Sequence, residues 1–129
     1  MTEVHSHEQG FVSAPPKQVY RVLADLPAYP RWWPAATAAD GELLLALSRR
    51  AASSASAERH RPGLGLYLRL GPPNQGTLEW HLDPFEEGTV VNCLLDLDLP
   101  GSSRKARSRL RKARSEIRRG LVGLKRRLQ

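Results

Sequence analysis

The stretch Ser13–Pro34, SAPPKQVYRVLADLPAYPRWWP, decides how the rest of the chain is read. Pro15 and Pro16 suit the first turn of a helix, where their missing N–H groups would have no intrahelical partner. Val19, Val22, Leu23 and Leu26 follow at i, i+3, i+4 and i+7, one apolar stripe. Pro27 ends the helix, because a proline pushes the residue before it out of the α region. Tyr29, Trp32 and Trp33 come next, among prolines that restrict the backbone and hold the rings in place. The expectation is a short amphipathic helix followed by an aromatic turn.

Far along the chain, Ala106, Leu110, Ala113, Ile117, Leu121, Leu124 and Leu128 recur at spacings of three and four. That is a continuous apolar stripe, and it predicts a long helix over Ser103–Leu128. The other faces of this helix carry arginine. From Gly101 onward, 12 Lys/Arg stand against Glu116 alone, a local charge of +11 in a chain of net +7. The first 100 residues therefore carry −4, and any electrostatic argument about partners belongs to the last helix. Gly120 and Gly123 lie inside it, where each costs about 1 kcal/mol relative to Ala. Either they leave room for a ligand or a bend, or they are tolerated on the flank.

Between these helices the chain reads as strands. Leu64–Leu70 sets leucines at period two, with Gly65, Tyr67 and Arg69 opposite. Thr77–Leu82 alternates likewise, with Leu78, Trp80 and Leu82 on one face. Thr89–Leu99 puts Val91, Cys93, Leu95, Leu97 and Leu99 on one face, and Asn92, Asp96 and Asp98 on the other. Glu42–Arg50 is apolar enough for a buried strand, and Ala-Thr-Ala-Ala-Asp-Gly before it reads as a turn or short edge strand. Ala51–Ala57, AASSASA, reads as a loop or weakly specified strand. Turns are expected at Gly71–Gly76 and from Asp83 to Gly88. Short turns between successive strands argue for an antiparallel meander.

Three quoted motifs are similar to those of a known group. They are PP-x-x-V-x-x-x-L-x-D from Pro15, YP-x-W-x-P from Tyr29, and GTLEW-x-L-x-P-x-x-x-GT-x-V from Gly76. Together they resemble the START/Bet v 1-like superfamily, in its bacterial polyketide cyclase/dehydrase branch. The resemblance implies an α+β helix-grip fold: a curved antiparallel sheet around a long C-terminal helix, with two short helices after the first strand. It also supplies that first strand, Val4–Val12, whose own periodicity is weak. His5, His7, Gln9 and Phe11 would share one of its faces. His5 and His7 point the same way and could form a metal-binding pair, but no third ligand is evident, so they read as solvated.

The resemblance implies a cavity between the concave sheet and the last helix. Residues whose predicted faces meet there are Trp33, Leu66, Leu68, Trp80, Leu82, Cys93, Leu95, Ile117, Leu121 and Leu124. Trp32, Trp33 and Trp80 either fill a core or, in the case of Trp33 and Trp80, wall that cavity; Tyr29 and Trp32 read as structural. The carboxylates and histidines fall at turns or on solvent faces, and Glu79 with His81 share a face away from the pocket. No phosphate loop, nucleophile elbow or metal spacing is present, so no catalytic residue, cofactor or metal is assigned. Cys93, the only cysteine, reads as a buried small hydrophobe and excludes an internal disulfide.

One domain, residues 1–129, is expected, with neither a secretory signal nor a membrane span. The single cysteine is compatible with a reducing cytoplasm. Two functional classes follow. In the first, the protein binds, carries or cyclises a small hydrophobic molecule such as a polyketide, lipid or isoprenoid; binding is favoured over catalysis, and any catalysis would be cyclase- or aromatase-like. In the second, Arg107, Arg111, Arg114 and Arg118 form a basic face for RNA, ribosome or anionic membrane. No aromatics interleave with those arginines for base stacking, which favours the first.

Overall fold

The computed structural model describes residues 1–48 and 51–129. The described residues form β1 (Thr2–Val12), α1 (Pro16–Ala24), a 3-10 turn (Leu26–Arg31) and β2 (Ala36–Ala39). There follow β3 (Glu42–Ser48), β4 (Ala51–Arg61), β5 (Gly65–Leu70), β6 (Gln75–Phe85), β7 (Gly88–Leu99) and α2 (Ser103–Leu128). The strands make one sheet in the order β1-β7-β6-β5-β4-β3-β2. Every pair in it is antiparallel. Only β1 is out of sequence; it closes the meander by pairing with β7 from Thr2↔Leu99 to Val12↔Thr89. The curled sheet and the long last helix make the helix-grip fold.

Helix α1 starts as read, with Pro15 at the N-cap and Pro16 in the first turn, and it buries Val19 and Leu23. It stops at Ala24; Pro27 and Pro30 then lie within the 3-10 turn, whose buried residue is Tyr29. Helix α2 matches the expected limits and is capped by Ser102, whose hydroxyl accepts from the Lys105 amide at 3.3 Å. No helix is long and apolar enough to cross a membrane among the described residues.

Several readings need correction. Of the two readings of AASSASA, loop or weakly specified strand, the strand holds and the loop does not: it is part of an eleven-residue strand, β4, paired on both sides with β3 and β5. Its small residues are used: Ser53 and Ala55 are buried, and the Ser53 hydroxyl accepts from the Asn74 amide at 3.0 Å. Asp83 and Pro84 lie in β6 rather than in a turn, which is confined to Glu86 and Glu87. Pairing with β5 ends at His81, so β6 is an edge where Pro84 stands, and an edge tolerates a missing donor. Leu64 lies outside β5 and is exposed, although Leu66, Leu68 and Leu70 keep the inward face. Arg49 and Arg50, the end of the Glu42–Arg50 reading, lie outside the described residues.

Two covers close the concave face. Helix α1 packs over β5, β6 and β7, and α2 packs over β1, β3 and β7. The segment that joins them across the sheet is the aromatic turn.

Candidate functional site

Tyr29, Trp32 and Trp33 converge with Trp80 of β6. Trp32 stacks on Trp33 at 5.7 Å between ring centroids, and both meet the edge of Trp80, at 6.2 and 5.8 Å. Tyr29 lies 4.7 Å from Trp32. The turn is tied to both covers: the Tyr29 hydroxyl donates to the Leu23 carbonyl of α1 at 2.7 Å, and Trp33 Nε1 donates to the Glu116 carbonyl of α2 at 2.9 Å. Burial pushes the Tyr29 phenol far above its ordinary range, so it stays protonated.

Gly120 and Gly123 are explained by this turn. A Cβ on Gly120 would sit 2.8 Å from the Trp33 ring, and one on Gly123 only 1.7 Å from the Trp32 carbonyl oxygen. They are there to let α2 seat directly on the tryptophan turn, which neither a ligand-space nor a tolerated-flank reading anticipates.

The structure brings all ten predicted pocket residues together. Trp33, Leu66, Leu68, Trp80, Leu82, Cys93, Leu95, Ile117, Leu121 and Leu124 belong to one core cluster, each at most 7% exposed. Burial holds the Cys93 thiol well above its ordinary pKa, which leaves it a poor nucleophile. The cluster nevertheless has two unmet donors. Trp32 Nε1 and Trp80 Nε1 are buried without a hydrogen bond of good geometry among the described residues; the nearest acceptor to Trp80 Nε1 is the Tyr29 hydroxyl oxygen, whose proton goes to the Leu23 carbonyl.

A feature absent from the sequence reading is Glu8. It lies on the inward face of β1, in line with Val4 and Val12, with its side chain 12% exposed. Arg114 Nε donates to it at 2.7 Å, and Arg118 reaches both its oxygens at 3.4 Å. Burial alone would raise the Glu8 carboxyl, but these two arginines outweigh it and hold it below the usual carboxylate range. A depressed carboxyl stabilises the fold above its unfolded pKa, about 4.3, and that contribution fades as pH falls through the lower folded value. Glu8→Gln should therefore cost about 1 kcal/mol at pH 7, since the guanidiniums are half exposed, and little at pH 2. Denaturant melts at both pH values check this; an equal loss at both would refute it.

Of the four basic-face arginines, Arg107 and Arg111 are exposed, whereas Arg114 and Arg118 are thus turned to β1. On the opposite sheet face His5 bonds Asp96, which raises the His5 pKa, and His7 bonds Asn92 at 2.8 Å. A surface groove of about 650 Å3 lies outside the core. It runs between the aromatic turn (Arg31, Trp32, Pro34) and the outer side of α2 (Ser115, Arg118, Arg119, Val122, Gly123, Arg126, Arg127).

Residues 12–123 match the family described as polyketide cyclase/dehydrase and lipid transport. The chain belongs to this family. The match spans α1, the aromatic turn, β2–β7 and most of α2, so it contains every core residue just described except Val4 and Leu124. No curated protein matches the sequence. Solved structures share the family's fold at low identity. A START superfamily protein from Mycobacterium smegmatis superposes with a TM-score of 0.75 at 15% identity, over 97% of this chain and 99% of that one. The Zhui aromatase/cyclase from Streptomyces gives 0.71 at 17% identity, over 99% and 97%. The di-domain aromatase/cyclase StfQ of the steffimycin biosynthetic pathway gives 0.75 at 15%, over 95% of this chain and half of that one.

Proposed function

We propose that the protein binds a small hydrophobic molecule bearing an oxygen acceptor, such as a polyketide, lipid or isoprenoid, between the concave sheet and α2. The observation that carries this reading is the pair of buried, unpartnered indole N–H groups on Trp32 and Trp80. Each unmet donor costs about 1–3 kcal/mol in a closed apolar core. A ligand carbonyl or hydroxyl set against them recovers that cost. The ligand thereby gains the differential affinity for an opened state that any induced opening requires. Leu66, Leu68, Leu82, Cys93, Leu95, Ile117, Leu121 and Leu124, with Trp33, supply the apolar wall.

Opening means moving the Tyr29–Trp33 turn. Its side-chain ties to the covers are the two hydrogen bonds to Leu23 and Glu116, so the barrier is one of packing more than of polar contacts. The chemistry favours holding over turnover. Tyr29 and Cys93 are kept protonated by burial, and Glu8 is occupied by two arginines. Membership in a cyclase and lipid-transport family supports the ligand class; it does not choose between the two activities.

Melting the protein with polycyclic aromatic ketones, isoprenoid quinones and fatty acids tests the proposal. At a hundredfold excess over the dissociation constant the expected stabilisation is about 2.7 kcal/mol, enough to raise the Tm by several degrees. No shift with any of the three, together with a ligand-free mass in native mass spectrometry of the purified protein, would overturn it.

A further inference from the structure

The groove outside α2 combines three properties that point to its own occupant. First, its charge is unbalanced. Arg31, Arg126 and Arg127 make no ion pair among the described residues, while Arg118 leans to Glu8 and Arg119 reaches Glu116 only at 3.5 Å. Second, its floor is apolar: Trp32, Pro34 and Val122 line it, and Val122 is half exposed on a helix whose outer positions are otherwise mostly charged. Third, it is concave, with a volume inside the roughly 300–1,000 Å3 usual for small-molecule sites.

These properties separate the occupants of a cationic surface. Single-stranded nucleic acid would need an aromatic face for base stacking, but Trp32 is only 5% exposed. A membrane would be met by a convex or flat face. An open groove with guanidiniums beside an apolar strip suits a single amphiphile.

We propose that this groove binds one monomeric anionic amphiphile. Its carboxylate or phosphate head lies among Arg31, Arg126 and Arg127, and the adjoining methylenes rest on Pro34 and Val122, beside the small exposed edge of Trp32. Guanidinium forks donate to either oxyanion in bidentate geometry, so the shared chemistry is an oxyanion on an apolar body. The groove meets the interior site only at Trp32, and its arginines lie outside the core cluster.

Calorimetry with dodecyl phosphate below its micellar concentration tests this, against dodecanol, inorganic phosphate and phosphatidylglycerol vesicles. One equivalent of dodecyl phosphate should bind, with dodecanol and phosphate each at least about tenfold weaker, because each lacks half of the contacts. The variant Arg31→Gln, Arg126→Gln, Arg127→Gln should lose about thirtyfold or more, given the strength of charged hydrogen bonds. The corresponding Lys variant keeps charge and helix propensity, so it should still fold and lose about tenfold through the missing forks. The Trp80 indole N–H resonance should stay in place while the groove fills. Unchanged affinity in both variants, equal binding of dodecanol, binding to vesicles alone, or a shift at Trp80 would each overturn the proposal. The last outcome would move the ligand into the core and leave the interior reading standing.

Discussion

Gly123→Ala is expected to destabilise the protein by about 3 kcal/mol or more, although Ala is the better helix former. Propensity favours the substitution by about 1 kcal/mol. Against it, the new Cβ would lie 1.7 Å from the Trp32 carbonyl oxygen, a backbone atom with no rotamer to yield. Either α2 lifts or the aromatic turn retreats, and overpacking of this kind costs about 1–3 kcal/mol, occasionally more. For a chain of 129 residues that corresponds to a Tm lowered by roughly 10 °C. Gly120→Ala should cost less, because its Cβ meets the Trp33 ring at 2.8 Å and a ring can tilt. Ser108→Ala, at an exposed position of the same helix, is the control and should be neutral or slightly stabilising. A Gly123→Ala variant more stable than the parent would show that α2 does not seat on the turn.

Leu68→Arg should abolish folding. Leu68 is fully buried in β5, with Leu78 and Ala57 as its cross-strand partners. A guanidinium there finds apolar neighbours on both sides, and an unpaired buried charge exceeds the whole stability of an ordinary domain, roughly 5–15 kcal/mol. Leu68→Ala, which only leaves a cavity, should cost about 2–5 kcal/mol and still fold. One position along, Arg69→Leu should change little, since Arg69 faces solvent and its pair with Glu58 is exposed. Circular dichroism and the expression level of the three variants decide it. A soluble, folded Leu68→Arg protein would mean that the concave face is hydrated in the absence of ligand.

How much of this was legible depends on whether the deciding contact is local. The limits of α2 follow from spacings of three and four along its own sequence, and β5 follows from alternating leucines. Strand β4 was obscured because Ala and Ser carry neither strand propensity nor an apolar alternation. What makes it a strand is its pairing with β3 and β5 on either side. The pattern of β1 is weak because its inward face carries Ser6, Gly10 and a carboxylate, Glu8, whose partners Arg114 and Arg118 lie more than a hundred residues later. The role of Gly123 was hidden for the same reason, since the oxygen it accommodates belongs to Trp32. That the ten residues expected around a cavity would lie buried together was legible because nine of them sit on the apolar face of their own strand or helix and Trp33 is a large aromatic in a proline-bound turn. The arginine groove was not, because it needs Arg31 and Arg127 on one wall-to-wall surface, and no periodicity links a turn to a distant helix.

The central claim is that an oxygen-bearing apolar ligand meets the two unpartnered indoles inside the core. The most direct measurement is a two-dimensional 1H–15N spectrum of the three indole N–H groups during titration with a polycyclic aromatic ketone. Trp33 already donates to Glu116, so it serves as the internal reference. The account predicts that the Trp80 and Trp32 signals both move downfield as hydrogen bonds form, while the Trp33 signal moves least. Three signals unmoved at saturating ketone, or a shift confined to Trp33, would contradict it.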